Sequence, residues 1–410
     1  MRKLPLLAVS VALVAGACND AAEPTTTIAE TTTTTTTEPP STTATTTTTT
    51  APPRVIAVRA SGGVPPALAE QAATLFSALA DERNPVAEVP AGLVARLAAV
   101  QIPDAVRITS MSTATLPDGE SVGVARTDAG DVVLAIDDGT GWRIVGADMD
   151  SLGVEPWYGE SPHMVLIIGT DARQWISEPL GYHADSIHVV TAIPEQGTGA
   201  ILGWPRDSLV ETPYGKMKLT ALNVNRGPEV MEEFFHDEWE LPVAGYIATG
   251  FAGFEDLIGI LGRLDIDIPR GLPTQEWFAG FRAGEQSLTP VRALDYSRTR
   301  KGVPGGDLTR SYNQGLVMLA AMVMLQLEGI DALPGYVAAL AQFTHTNLSA
   351  EQLLLLGAAA MALDPTTIEN QVLPGKVGRA VGASVVFLDP EADVMIADLR
   401  DDGLLESRDS

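Results

Sequence analysis

Met164-Val165-Leu166-Ile167-Ile168 runs straight into Gly169-Thr170-Asp171-Ala172-Arg173. Five consecutive apolar residues, three of them β-branched, predict a strand buried on both faces, as in a sheet covered by helices on either side. Outward from this run, Ser186–Ile193 and Ala200–Trp204 read as further strands. Pro228–Glu238 has helical spacing, Gly245–Thr249 is a strand, and Gly253–Leu261 is a helix. Leu264–Ile268 is another strand, and Pro290–Ser297 and Asn313–Leu327 are helices. The alternation predicts an α/β fold, a three-layer sandwich with a central mixed sheet flanked by helices. Polar residues gather where the predicted strands end, the place where open α/β sheets take their ligands.

A small α+β domain precedes this part, from Arg54 to about Pro156. Pro66–Asp81 is an amphipathic helix and Leu93–Val100 a shorter one. Val106–Ser112, Ser121–Thr127, Asp131–Asp137 and Gly141–Val145 are short strands separated by Asp-Gly and Ala-Gly turns. That pattern predicts an antiparallel meander. The region has no His, no Cys and no polar cluster, so it reads as a binding or spacer module. After Ala332 come helices at Leu333–Phe343 and Ala350–Ala362, strand-like segments at Gln371–Ala380 and Ala383–Asp389, and a closing helix at Pro390–Leu399. These extend the second domain, which is expected to run from 160 to 405.

The chain begins with Arg2 and Lys3, an apolar stretch from Leu4 to Val14, then Ala15-Gly16-Ala17-Cys18. The apolar stretch is too short to span a bilayer as a helix. It reads as an export signal, and residues 1–18 resemble a bacterial lipoprotein signal with Cys18 as the lipidated residue. Asn19–Pro53 follows, dominated by Thr with five prolines. Such a segment cannot bury enough apolar surface to fold and is expected to be a disordered linker.

Composition narrows the function. The chain has 410 residues, 26 Lys+Arg against 52 Asp+Glu, and one Cys. A net charge of −26 argues against general nucleic-acid binding. One cysteine excludes a disulfide framework and a Cys-based zinc site.

Four segments, taken in order, resemble the LytR–CpsA–Psr family, also called the cell envelope-related transcriptional attenuator domain. They are Leu166–Arg173 (LIIGTDAR), Ala184-Asp185-Ser186, Trp204-Pro205-Arg206-Asp207 with Lys218-Leu219 and Gly227-Pro228-Glu229, and Ser297-Arg298-Thr299-Arg300 with Asp307-Leu308-Thr309-Arg310 and Gln314. The resemblance implies a phosphotransferase. It would move a glycopolymer from a polyprenyl-diphosphate carrier to a hydroxyl of a peptidoglycan sugar, with Mg²⁺ as cofactor. It also implies an apolar pocket for the prenyl chain, with Phe251, Phe254, Leu257, Ile258, Leu261, Trp277 and Phe281 as candidate walls. Read as ordinary chemistry, any of these is equally at home in a core.

The charged residues make sense without the family. Arg173, Arg206, Arg298, Arg300 and Arg310 fall at predicted strand ends and loops of an acidic chain. Guanidinium groups contact phosphate oxygens in a planar, bidentate way. His183 and Gln314 join them as candidate phosphate ligands. Asp171 and Asp185 are candidate Mg²⁺ ligands, because Mg²⁺ takes one or two carboxylates plus phosphate oxygens. Asp171, Arg173, Asp185, Arg206, Asp207 and Arg310 are the candidate catalytic residues. An acceptor hydroxyl needs a general base, and Asp171 and Asp185 both qualify.

The pattern also departs from the family. His183 and Asn313 stand where it commonly has arginine, and Thr220 where it has Asn. The residue set therefore accommodates three activities: the transferase, a non-catalytic module that binds carrier lipid or peptidoglycan, and a polyprenyl-diphosphate phosphatase. The expected location is the outer face of the cytoplasmic membrane, held by a lipid anchor.

Overall fold

The computed structural model describes residues 51–85, 88–98, 100–173, 181–274 and 279–407. The signal, Cys18 and the Thr-rich linker up to residue 50 lie outside the described residues, as does Trp277.

Chain order begins with β1 (Ala57–Ala60), α1 (Pro66–Ala80) and α2 (Ala91–Leu97). The meander follows as β2 (Ala105–Thr115), β3 (Ser121–Thr127), β4 (Val132–Asp137) and β5 (Trp142–Asp148). Next are β6 (His163–Thr170), β7 (Ala184–Ile193) and β8 (Thr198–Gly203), the hairpin β9 (Leu209–Thr212) and β10 (Gly215–Lys218), and helices α3 (Leu219–Arg226) and α4 (Pro228–Trp239). β11 (Tyr246–Thr249) leads into α5 (Phe251–Ile260), the hairpin β12 (Leu264–Ile268) and β13 (Gly284–Leu288), α6 (Pro290–Arg298) and α7 (Asp307–Glu328). The chain closes with α8 (Leu333–Phe343), β14 (His345–Thr346), α9 (Ala350–Met361), β15 (Glu369–Val372), the hairpin β16 (Gly375–Ala380) and β17 (Ala383–Leu388), and α10 (Pro390–Asp402).

The central sheet has six strands in the order β14-β11-β6-β7-β8-β15. It is mixed: β11 pairs with β6 and β15 with β8 in parallel, and β7 runs against both its neighbours. The Met164–Ile168 run is β6, and its alternation explains the continuous apolar sequence. Met164, Leu166 and Ile168 pack with Leu219, Phe235 and Leu399 of α3, α4 and α10. Val165 and Ile167 face the other way, towards α8 and α9. Both faces of the strand are covered, so neither tolerates a polar residue.

Two details differ from the sequence reading. Leu264–Ile268 is a strand, but it pairs with β13 in a separate hairpin and does not join the central sheet. Its Leu-Asp-Ile-Asp-Ile alternation buries one face only, which suits a hairpin on the flank. The helix read as Asn313–Leu327 begins earlier, at Asp307, whose carboxylate sits favourably in the first turn.

The meander forms a five-stranded sheet in the order β1-β2-β3-β4-β5. One face, with Ala125, Val133 and Ile144, packs on α1 and α2. The other, with Val122, Val124 and Leu134, shares a core with Leu333, Val337 and Leu354 of α8 and α9. Residues Pro52–Ser410 accordingly form one compact unit, with α8 and α9 between the two sheets.

Candidate functional site

β6, β8, β11 and β15 all point the same way, so their carboxyl ends share one edge of the sheet with the start of β7. Asp171, Arg206 and Gly250 leave the sheet at that edge. Asp185 enters there through an irregularity: Gly169 pairs with Ser186 and Thr170 with Ala184, leaving Asp185 as the extra residue of a β-bulge. A bulge re-aims one side chain without moving the rest of the strand. The Gly169 of the Gly-x-Asp-x-Arg motif is needed here, since a Cβ at that position would come within 2.8 Å of the Ser186 Cβ.

Asp185 is the hub of an ion-pair network. Arg206 donates to its Oδ1, and the Arg310 guanidinium lies 3.8 Å from its Oδ2. Arg310 also meets Asp307 at 2.6 Å, and Arg300 reaches Asp307 at 4.0 Å. Asp207 takes Lys218 at 3.1 Å and lies 3.8 Å from Arg206. Arg298 stands apart: it rests over the Phe251 ring, 4.2 Å from the centroid, with no carboxylate at ion-pair distance among the described residues. Around the site, Arg206, Lys218, Arg298, Arg300 and Arg310 outnumber Asp185, Asp207 and Asp307.

Burial sharpens the electrostatics. Burial works against the Arg206 charge, but the field and hydrogen bond of Asp185 outweigh it and raise its pKa above the ordinary value. At Arg310 burial wins over Asp307 and Asp185, and its pKa falls. Both stay cationic at neutral pH. Among the described residues, the buried Nε–H groups of Arg206 and Arg310 have no hydrogen-bond partner, which is costly for a donor.

The loops carrying these groups are anchored from behind. Trp204 is buried against Phe235 and Trp239, with ring centroids 4.9 and 5.4 Å away. The Arg206 carbonyl accepts from the Thr220 N–H at the start of α3. Below the bulge, fully buried His188 links Ser186 to α7: its Nδ1 lies 3.1 Å from Ser186 Oγ and its Nε2 3.0 Å from the Ser311 carbonyl. A carbonyl only accepts, so Nε2 carries the proton and Ser186 donates to Nδ1. Burial pushes the His188 pKa down to about 4, keeping the ring neutral. Gly203 makes room, because a Cβ there would run into Ser311 and His188.

From this charged mouth a cavity of about 370 Å³ runs between the sheet and helices α5, α6, α7 and α8. Asp185, Ser186, Ser297, Arg298 and Gln314 line one end; the rest of its lining is almost wholly apolar. Gln314 Nε2 donates to the Ser297 and Asp185 carbonyls, which fixes the amide and leaves its buried Oε1 without a partner among the described residues.

Most of the sequence candidates meet here. Asp185, Arg206, Asp207, Arg298, Arg300, Arg310 and Gln314 form or rim the mouth. Asp171 and His183 sit beside it as a pair, the His183 N–H donating to Asp171 at 2.9 Å and the ring lying 3.4 Å from the carboxylate. Arg173 is exposed, and no ion pair joins it to the cluster. Asn313 is buried and accepts from the Tyr296 hydroxyl at 3.1 Å. Of the candidate walls, Phe251, Phe254, Leu257, Ile258 and Leu261 line the cavity. Phe281 does not: it packs edge-on against Tyr296, with Arg292 over its ring, in the same core as the wall residues Ile258 and Val317 but away from the cavity lining. The sequence reading missed Asp307 and Lys218 in the network, and Val317, Met318, Ala321, Met322 and Leu325 on the cavity wall. The uninterrupted apolar run Leu316–Leu325, apolar on every face of the helix, was the available signal.

Among the described residues, no group of three or more His, Asp or Glu could hold a metal ion.

The LytR_cpsA_psr family model matches residues 148–400, more than half of the chain. The chain belongs to the LytR–CpsA–Psr family. Among relatives, it is 28% identical over 170 residues to the polyisoprenyl-teichoic acid–peptidoglycan teichoic acid transferase TagV of Bacillus subtilis, covering 39% of this chain and 43% of that protein. It is 29% identical over 202 residues to the transferase TagU of Bacillus cereus, covering 47% and 62%. The match therefore spans less than two thirds of either relative. The crystal structure of B. subtilis TagV superposes with a TM-score of 0.52 at 22% identity, covering 60% of this chain and 98% of that one, and so shares the fold. The match begins at the end of β5, so the five-stranded sheet lies almost wholly outside the family domain.

Proposed function

We propose that the chain is a cell-wall glycopolymer transferase. It moves a glycopolymer from a polyprenyl-diphosphate carrier to a hydroxyl of a peptidoglycan sugar. One observation carries this reading: a cavity with an apolar interior reaches Asp185 and Arg298 at one end, where Asp185 is in turn paired with Arg206 and Arg310. Its two ends match the two ends of a prenyl diphosphate. Burying the tail contributes about 0.8 kcal/mol per methylene.

In this reading Arg206, Arg298 and Arg310 hold the diphosphate oxygens, and Arg300 and Lys218 add to the field. The acceptor oxygen attacks the phosphorus that bears the glycopolymer. The bond from that phosphorus to the bridging oxygen breaks, and polyprenyl phosphate leaves with its charge held by the arginines. The acceptor proton passes to Asp171. We favour Asp171 over Asp185 as the base because both Asp185 oxygens already face arginines, whereas among the described residues no arginine pairs with Asp171. Mg²⁺ held by Asp185 and the diphosphate oxygens would neutralise developing charge, with Asp171 left to take the proton. Cys18 would carry the lipid that keeps the protein on the outer face of the cytoplasmic membrane, with the Thr-rich segment as a stalk.

The test is a reconstitution. The full chain is incubated with Mg²⁺, a short prenyl-diphosphate-linked saccharide and peptidoglycan fragments, and products are identified by mass spectrometry. A phosphodiester-linked product that disappears in Arg206→Ala supports the transferase. Free phosphorylated saccharide without linked product replaces it with the phosphatase reading. Binding without conversion replaces it with the carrier-binding module.

A further inference from the structure

Three of the helices that wall the cavity each bring one part to the mouth. α5 starts at the mouth with Phe251, α6 ends there with Ser297 and Arg298, and α7 places Gln314 there. Along α7 the cavity lining continues from Gln314 to Leu325, a rise of about 16 Å at 1.5 Å per residue. Along α5 it continues to Leu261, just past the helix end. The far ends of all three helices thus lie at the end of the cavity opposite the charges.

Each of those far ends carries an exposed aliphatic side chain. Ile260 is 44% exposed at the end of α5, Val291 56% at the start of α6, and Leu327 75% at the end of α7. Behind Leu327, Met322, Val323, Met324 and Leu325 are all only half-buried. α7 and α8 together form an apolar pair bent by 101° next to Leu327. No single described helix is long and apolar enough to cross a membrane, so these side chains are suited to lie on an apolar surface rather than to span one.

We propose that this rim, Ile260, Val291 and Leu327, rests on a lipid bilayer, with the charged mouth turned away from it. The apolar lining of the cavity then leads towards the bilayer interior. The choice of a bilayer over another partner rests on the reading of the cavity as a prenyl site. With a net charge of −26 the chain gains nothing from an anionic surface, so the contact is apolar and insensitive to salt. A second patch sets the opposite orientation as the alternative: Val377 is 78% exposed on the β16–β17 hairpin, whose Val386 N–H bonds the Asp207 carbonyl beside the mouth.

The experiment compares the two ends. In the full chain with Cys18→Ser, an environment-sensitive fluorophore is placed at Ile260→Cys, Leu327→Cys or Val377→Cys. Phosphatidylcholine vesicles are then added at low and high salt. The account expects a blue shift at 260 and 327, unchanged by salt, and none at 377. A shift at 377 alone, an equal shift at all three positions, or no shift at 260 and 327 overturns it. So does a shift at 260 and 327 that appears with protein concentration alone, since that assigns the rim to a second copy of the chain. Loss of transfer activity with the rim shifts intact removes the proposed reaction and leaves the membrane contact standing.

Discussion

The mouth and the cavity are built on opposite principles. The mouth draws its ion-paired side chains from five separate segments, β7, the β8–β9 loop, β10, the α6–α7 loop and α7, and adds Arg298 from the end of α6. The cavity comes from continuous helical faces and is held open by packing alone. Removing one member of the mouth leaves a partner charge buried and unpaired, whereas changing one wall residue alters a volume. The mouth should therefore be brittle and the cavity forgiving.

That contrast is breakable. Arg310→Ala strips Asp185 and Asp307 of a buried partner, and transfer rate is expected to fall by about 10²–10³-fold, the usual loss when one charge-stabilising donor goes. Steady-state kinetics checks it, and a loss below tenfold would place the diphosphate elsewhere. Next comes the support beneath the mouth. The His188 pKa is pushed from 6.5 to about 4 in the folded state, so the unfolded chain takes up this proton more readily. Stability from this residue is complete above pH 6.5, declines as pH drops towards 4, and totals roughly 3 kcal/mol. Urea midpoints at pH 6.5 and 4.5 should converge more in His188→Met than in the native chain.

The cavity should yield less. Met318→Trp fills part of the lining and is expected to raise KM for long-chain donors about tenfold, with little change for a donor of one or two isoprene units, since a well-packed intrusion costs about 1–3 kcal/mol. Equal effects on short and long donors would show that the tail lies elsewhere. The smallest effect belongs to His183→Ala. The ring is more than half exposed and its approach to Asp171 is screened by water, so activity should fall only a few-fold.

The same contrast governs how much the sequence told. The mouth was legible because charge in an unexpected place is a strong signal: arginines at strand ends of an acidic chain have few structural reasons to be there. Asp307 read only as part of a motif, and its part in the network escaped because the helix was read from Asn313, whereas a start at Asp307 sets it three residues before Arg310 on the same face. The cavity was half legible. The walls on α5 were identified, but Phe281 shows why apolar residues are poor guides, since it shares a core with the wall residues Ile258 and Val317 and still does not line the cavity. Met318 and Met322 have the same spacing as core residues and differ only in what faces them. The central strands were readable from uninterrupted apolar runs, whereas β1, with three of its four residues exposed, left no such trace. Nothing in local pattern announced that the meander shares a core with α8 and α9, because those contacts join residues more than 200 positions apart.

The central claim is that one site reads both ends of one amphiphile. Calorimetric titration of the full chain with geranylgeranyl diphosphate, geranylgeraniol and inorganic diphosphate, each in the presence of Mg²⁺, tests it most directly. The account predicts that the diphosphate-bearing lipid binds far more tightly than either half, and that Arg206→Ala erases this advantage while Met318→Trp reduces it. Binding of the lipid alcohol as tight as that of its diphosphate, or the same affinity for inorganic diphosphate as for the lipid, would contradict it.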